Sequence, residues 1–196
     1  MLKFETLFIK LINQPKFLST FFFGGVLCFF PILHIFAFGY LYLFTNNLIR
    51  QGAFAYPEWS DLSDIFIKGL ELTVIVVSIL AIPLIAFKGF DLVLVAIGLD
   101  ALSKLFLGIL FVMTFPILIS AVYLYQSRRQ LQSLFNLSLI LKMSASFLKS
   151  NALVLVTGYG LFQLLLPLYG FSIFTSMFFL LSYGVVFFSY QDPVNN

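Results

Sequence analysis

The chain predicts an all-α fold, that of a polytopic helical integral membrane protein, and three observations carry the prediction. Of its 196 residues, 61% are hydrophobic and only 10% charged, and the mean hydropathy is +1.06. A soluble domain carries roughly 25% charged residues, so this chain has too little polar surface to clothe a soluble globule of its length. Apolar runs of the length a bilayer crossing needs, about 20 residues, recur along the chain. No intervening stretch has the composition of a soluble domain, so residues 1–196 read as a single membrane domain.

Residues 1–14 set Phe4, Leu7, Phe8 and Leu11 on one helical face and Lys3, Thr6, Lys10 and Asn13 on the other. This predicts an interfacial amphipathic helix over 1–16, broken at Pro15. No small-residue cleavage pattern follows, and Leu27 stands before Cys28, so this helix is expected to remain in the mature protein. The next run, 17–48, is too long for one straight crossing, and Gly24-Gly25 and Pro31 offer places to bend. An apolar span is expected from about 70 to 87. An interfacial piece with Asp100 and Lys104 follows, then a crossing from about 105 to 125. Residues 128–149 read as moderately amphipathic, and two last spans, near 151–168 and 171–190, precede a polar tail, 191–196.

Basic residues set the expected orientation. If the 17–48 run crosses once, the inside holds Lys3, Lys10, Lys16, Lys88 and Lys104, with the other six outside. If it turns back near Pro31, only Lys88 and Lys104 lie outside. The count is therefore five to six membrane segments. The six-segment form, with both termini cytoplasmic, fits the charges better. Its first leg, 17–30, reaches only about 21 Å, so it is either a thin crossing or a re-entrant half-span.

Short strings recur in order: "FPIL" at 30–33 and 115–118, "FIKGLEL" at 66–72 against "FLKSNAL" at 147–153, and "IPLIAFKGF" at 82–90 against "LPLYGF" at 166–171. They suggest a parallel internal repeat with units 17–88 and 89–170, followed by the last span 171–190.

The least apolar passage is "AYPEWSDLSDIFIKGLEL", residues 55–72, which holds the only tryptophan and five charged side chains. Pro57 ends a loop, Ser60 can cap a helix, and Asp61 and Asp64 favour its first turn. Asp61, Asp64, Lys68 and Glu71 then fall on one stripe, where Lys68 can reach both Asp64 and Glu71. Tyr56 and Trp59 are of the type that sits at headgroup depth. The passage reads as a helix that begins at the inner surface and becomes a span.

The motif Pro31-Ile32…Gly39-Tyr40, then Arg50, then Pro57-Glu58-Trp59-Ser60-Asp61, then Phe66-Ile67-Lys68-Gly69-Leu70 resembles an uncharacterised family of polytopic prokaryotic membrane proteins. Its pattern is in turn similar to the membrane domain attached to some glycerophosphodiester phosphodiesterases. The likeness covers residues 23–72. It implies a membrane fold and a prokaryotic cell-membrane address, and marks Gly39, Tyr40, Arg50, Pro57, Glu58, Trp59, Asp61 and Gly69. Tyr56 stands where the family has leucine. No activity comes with the resemblance.

Composition also excludes. Eleven basic residues are scattered, without the basic, aromatic-interleaved surface that nucleic acid needs. One cysteine and one histidine leave no disulfide, no two-histidine metal site and no expected metal or cofactor. No nucleophile motif or phosphate loop occurs, which argues against an enzyme. The ionisable His34, inside an apolar run, is a candidate for a functional role, although the carbonyl freed near Pro31 can satisfy it. The expected function is therefore a non-enzymatic membrane protein: an accessory subunit, assembly factor or scaffold binding a membrane partner, a second copy or lipid. The alternative is a small transporter or lipid-handling protein for an apolar or amphipathic substrate. Convergence of His34, Gln163 and Glu71 on one cavity would favour transport.

Overall fold

Backbone amides shielded from water must be satisfied within their own segment, and every regular element among the described residues is accordingly helical. The computed structural model describes residues 4–191 other than position 53, and the side chains of all of these but residues 82 and 100. The first three residues, and the tail beyond Gln191, lie outside the described residues. The helices are α1 (Phe4–Ile12), α2 (Phe17–Leu27), α3 (His34–Gln51), α4 (Leu62–Ala96), α5 (Asp100–Arg128), α6 (Leu137–Leu164) and α7 (Tyr169–Gln191). Short 3-10 turns at Leu131–Phe135 and Leu166–Leu168 precede the last two.

Four stretches are long and apolar enough to cross a membrane: Leu62–Ala96, Ala101–Arg128, Leu137–Leu164 and Leu166–Gln191. They alternate in direction. Phe90 stacks edge-on to Phe106 across α4 and α5. Ser144 donates to Ser120 across α5 and α6 at 3.1 Å, and Tyr183 donates to Asn151 across α6 and α7 at 2.6 Å. The last of these helices is the core: 83% of its apolar stretch is buried inside the protein, against 18% for α4. A lipid-facing helix needs no protein around it, whereas α7 is enclosed by α2, α3, α5 and α6.

Two prolines lie inside helices, Pro83 in α4 and Pro116 in α5. Ser120 donates back to the Pro116 carbonyl at 2.7 Å, one turn earlier in α5. In α6 the backbone leaves helical geometry at Asn151, whose Nδ2 donates to the Phe147 carbonyl and whose Oδ1 accepts from Tyr183. That kink falls where the sequence passes from amphipathic to apolar. The part of the amphipathic segment from Leu137 onward and the span expected after it are one bent helix, while its first residues close α5 and form the 3-10 turn.

Several expectations are revised. α1 forms, but its apolar face turns onto the protein: Leu7 and Leu11 are fully buried, Phe4 meets Tyr183 and Phe8 meets Phe179. The expected interfacial piece at Asp100 and Lys104 is the first turn of α5. α3 and α4 meet closely at one crossing, marked by the pairs Phe36–Phe66, Gly39–Gly69 and Tyr42–Lys68. The paired strings have unlike settings. Pro31 lies in the turn between α2 and α3 while Pro116 is inside α5, and Pro83 is inside α4 while Pro167 lies in a 3-10 turn.

Candidate functional site

The passage 54–61, which leads from α3 to α4, turns back along α3. Asn47 donates to the Ala55 carbonyl at 3.2 Å, Tyr56 packs on Phe44, and Trp59 stacks on Tyr40 with ring centroids 4.3 Å apart and planes 16° from parallel. The chain thus retraces α3 from Asn47 to Tyr40 before α4 begins. Tyr56 donates to the Leu11 carbonyl of α1 at 3.1 Å. Burial, with Tyr40 nearby, pushes the Tyr56 phenol above its ordinary value, so it stays a neutral donor. Glu58 is exposed and pairs with Lys16 at 3.3 Å, and the Tyr40 hydroxyl meets Thr20 at 2.8 Å. Tyr56 and the motif residues Tyr40, Glu58 and Trp59 therefore tie α1, α2 and α3 together. Asp61, one residue beyond the expected Ser60, caps α4 by accepting from the Asp64 amide at 3.1 Å, because a carboxylate also favours the positive end of the helix dipole.

Gly39 and Gly69 mark the point where α3 and α4 touch backbone to backbone. A β-carbon on Gly39 would fall on the Ile65 carbonyl, and one on Gly69 on the Ile35 carbonyl; each would lie 3.0 Å from the other glycine's amide nitrogen. Small residues at such crossings are how helices approach closely without a solvent-driven force between them.

Beside this crossing, Lys68 donates to Glu71 at 2.6 Å, and Tyr125 of α5 donates to the other Glu71 oxygen at 3.0 Å. The Lys68 ammonium also lies over the Tyr42 ring, 5.4 Å from its centroid. Gln126 is buried, and its Nε2 donates to the Tyr42 carbonyl and the Thr45 hydroxyl. Its Oε1 has no partner among the described residues. Lys68 pairs with Glu71 and not, as the stripe also allowed, with Asp64. The cluster joins α3, α4 and α5 at one level.

The remaining candidates stand apart. His34 opens α3, half-buried, its Nδ1 3.1 Å from the Phe30 carbonyl. Arg50 is exposed in the last turn of α3 and donates to Asn46. Pro57 lies half-buried in the connection. His34, Gln163 and Glu71 each bond to different groups: the Phe30 carbonyl, Tyr159, and the Lys68–Tyr125 pair.

A cavity does exist, elsewhere. A half-open cleft of about 420 Å³ lies between the α4–α5 and α6–α7 hairpins. Leu80, Pro83, Phe111, Phe162 and Met177 are among its walls, and Thr114, Tyr159 and Ser176 bring its only polar atoms. The Ser176 hydroxyl has no partner among the described residues. Of the residues singled out in the sequence, the candidate site residues do not line this cleft, whereas Pro83 of the paired strings does. Its walls are mostly apolar side chains of five helices, α3 to α7, which no local spacing distinguishes from ordinary core. Tyr125 and Gln126 were missed for a related reason: their partners lie more than fifty positions away. Among the described residues no group of histidine, cysteine or carboxylate side chains could hold a metal ion.

Comparison with protein-family models, with curated proteins and with solved structures returns no match. The class rests on the fold alone: an all-helical protein with four helices long and apolar enough to cross a membrane.

Proposed function

We propose that the protein is a non-enzymatic integral membrane scaffold or accessory subunit that holds an apolar molecule, in the first instance a lipid acyl chain, between its two C-terminal hairpins. The 420 Å³ cleft carries this reading. A site lined by aliphatic and aromatic carbon with three hydroxyls offers a hydrocarbon chain full contact and offers a charged substrate nothing. The polar groups that could do chemistry are occupied elsewhere: Glu71 by Lys68 and Tyr125, and Asp91 by Lys88 and Ser103. The carrier reading is favoured by one observation, that the cleft is half-open and has Pro83, a natural hinge, in its wall.

The test uses a phospholipid with a photoreactive group on its acyl chain, in bilayers containing the full protein. Cross-links are expected on peptides of α4 to α7 that line the cleft. Ser176→Leu, which fills it, is expected to remove most of that labelling. Uniform labelling along all lipid-exposed helices, unchanged in the variant, would overturn the proposal.

We infer an arrangement of four crossings with α2 and α3 packed on them as a partial membrane element. The end that gathers the start of α4, the end of α5 and the start of α6 carries Lys68, Arg128, Arg129, Lys142 and Lys149. The opposite end carries Lys88 and Lys104. The basic end is cytoplasmic by the positive-inside rule, and α1 packs beside Tyr183 in the half of α7 that leads to this end. A reporter inserted at residue 130 is expected to read as cytoplasmic and one at residue 98 as external. The reverse result would sink this orientation.

A further inference from the structure

Between Asp100 and Asp192 the chain contains no acidic residue, yet it carries Lys104, Arg128, Arg129, Lys142 and Lys149. Arg128 and Arg129 lie where α5 ends, and Lys142 and Lys149 follow in the first half of α6. None of the four has a carboxylate partner among the described residues, whose ion pairs are Lys16–Glu58, Lys68–Glu71 and Lys88–Asp91. The C-terminal dipole of α5 accounts for Arg128 and Arg129. It does not account for Lys142 or Lys149, which sit beyond the first turn of α6 and gain nothing from a dipole.

A second cavity, of about 230 Å³, opens at this same place between α5, α6 and α7. One side is apolar, with Leu124, Leu139, Met143 and Phe188, and the other is polar, with Arg128 and Gln191. Beside it the 3-10 turn and the start of α6 expose Leu131, Phe135 and Leu137, with Phe135 83% exposed. Apolar side chains of that size next to unpaired cations belong at the boundary between hydrocarbon and headgroups.

We propose that this cavity is a seat for one anionic phospholipid. Its phosphate would meet Arg128, whose fork of donors matches phosphate oxygens, with Gln191 offering a neutral donor. The upper part of an acyl chain would lie against Leu124, Leu139, Met143 and Phe188. Basic pockets between membrane helices at the cytoplasmic side take such headgroups. The lack of any acid in the neighbouring chain leaves nothing to attract the ammonium of a zwitterionic lipid. The site is separate from the apolar cleft and stands or falls independently of it.

The experiment is native mass spectrometry of the full-length protein, purified gently from bilayers of phosphatidylcholine with a minority of phosphatidylglycerol. The wild type is expected to retain phosphatidylglycerol about fivefold above its bulk proportion, the scale of one basic contact near a membrane surface. Arg128→Gln is expected to bring retention back to the bulk proportion, while Arg128→Lys keeps part of the enrichment and Lys88→Gln, at the other end, keeps all of it. Ser176→Leu should leave it untouched, which separates this site from the cleft. Equal retention of the two lipids by the wild type would overturn the proposal, as would full enrichment in Arg128→Gln. Displacement of the bound lipid by soluble glycerophosphate would also overturn it, since the site would then read a free phosphate and not a membrane lipid.

Discussion

Replacing Gly39 with alanine is expected to cost about 3 kcal/mol of folding stability, the upper end for forcing atoms into a packed interior. Gly69→Ala should cost a similar amount. The reason is what stands in the way: a backbone carbonyl of the facing helix on each side, not the end of a flexible side chain. A side chain can change rotamer, but a helix carbonyl moves only if the helix moves. α3 and α4 would have to separate, and with them the Lys68–Tyr42 contact and the Gln126 bonds that follow the same interface. Gly89→Ala and Gly160→Ala provide the contrast. Both glycines lie within helices, and a β-carbon on either meets nothing, so alanine there should be neutral or stabilising by up to about 1 kcal/mol. Unfolding in mixed micelles with rising denaturing detergent measures all four. Because Gly39 and Gly69 touch, the double variant should lose clearly less than the two singles together. Equal, small effects at all four glycines would mean that α3 and α4 are not in backbone contact.

What could be read from the chain alone divides along a physical line. Environment follows from composition, so the helical membrane character was plain from 61% hydrophobic residues and 10% charge. Helix ends also showed, because caps and breakers act locally: Pro15 falls between α1 and α2, and Asp61 starts α4 within one residue of expectation. The path of the connection was not legible. Ten residues between two apolar helices do not say what they pack on, and only the contacts of Ala55, Tyr56 and Trp59 with α3 show it. The passage 55–72 was singled out correctly as unusual. Its charged stripe suggested a surface helix, but the aromatic half is held by bundle contacts and the charged half is partly tied to α5 through Glu71. The apolar cleft left no trace in the sequence, since a leucine beside a void is spelled like a leucine in a packed core.

The connection makes a second large effect measurable. Trp59→Ala is expected to lower stability by about 2 kcal/mol, the scale of removing a large, partly buried apolar side chain. It removes the stack on Tyr40 and the contact with Phe23, at ring centroids 4.3 and 6.3 Å. Trp59→Phe should be nearly neutral, because the indole nitrogen is buried with no hydrogen-bond partner among the described residues. Phenylalanine keeps an aromatic face on Tyr40 and deletes a donor that gains nothing. Tyr40→Phe tests the other side of the stack. It leaves the Thr20 hydroxyl, buried and 2.8 Å from the lost oxygen, without that partner and should cost about 1 kcal/mol. Trp59 is the only tryptophan, so its fluorescence reports on this connection alone. If the return of the chain along α3 positions α4, the fluorescence transition and the global helix-unfolding transition should coincide in the wild type. Should the tryptophan signal change well before helix is lost, the stack would be a peripheral contact, and α4 would be placed by the Gly39–Gly69 crossing alone.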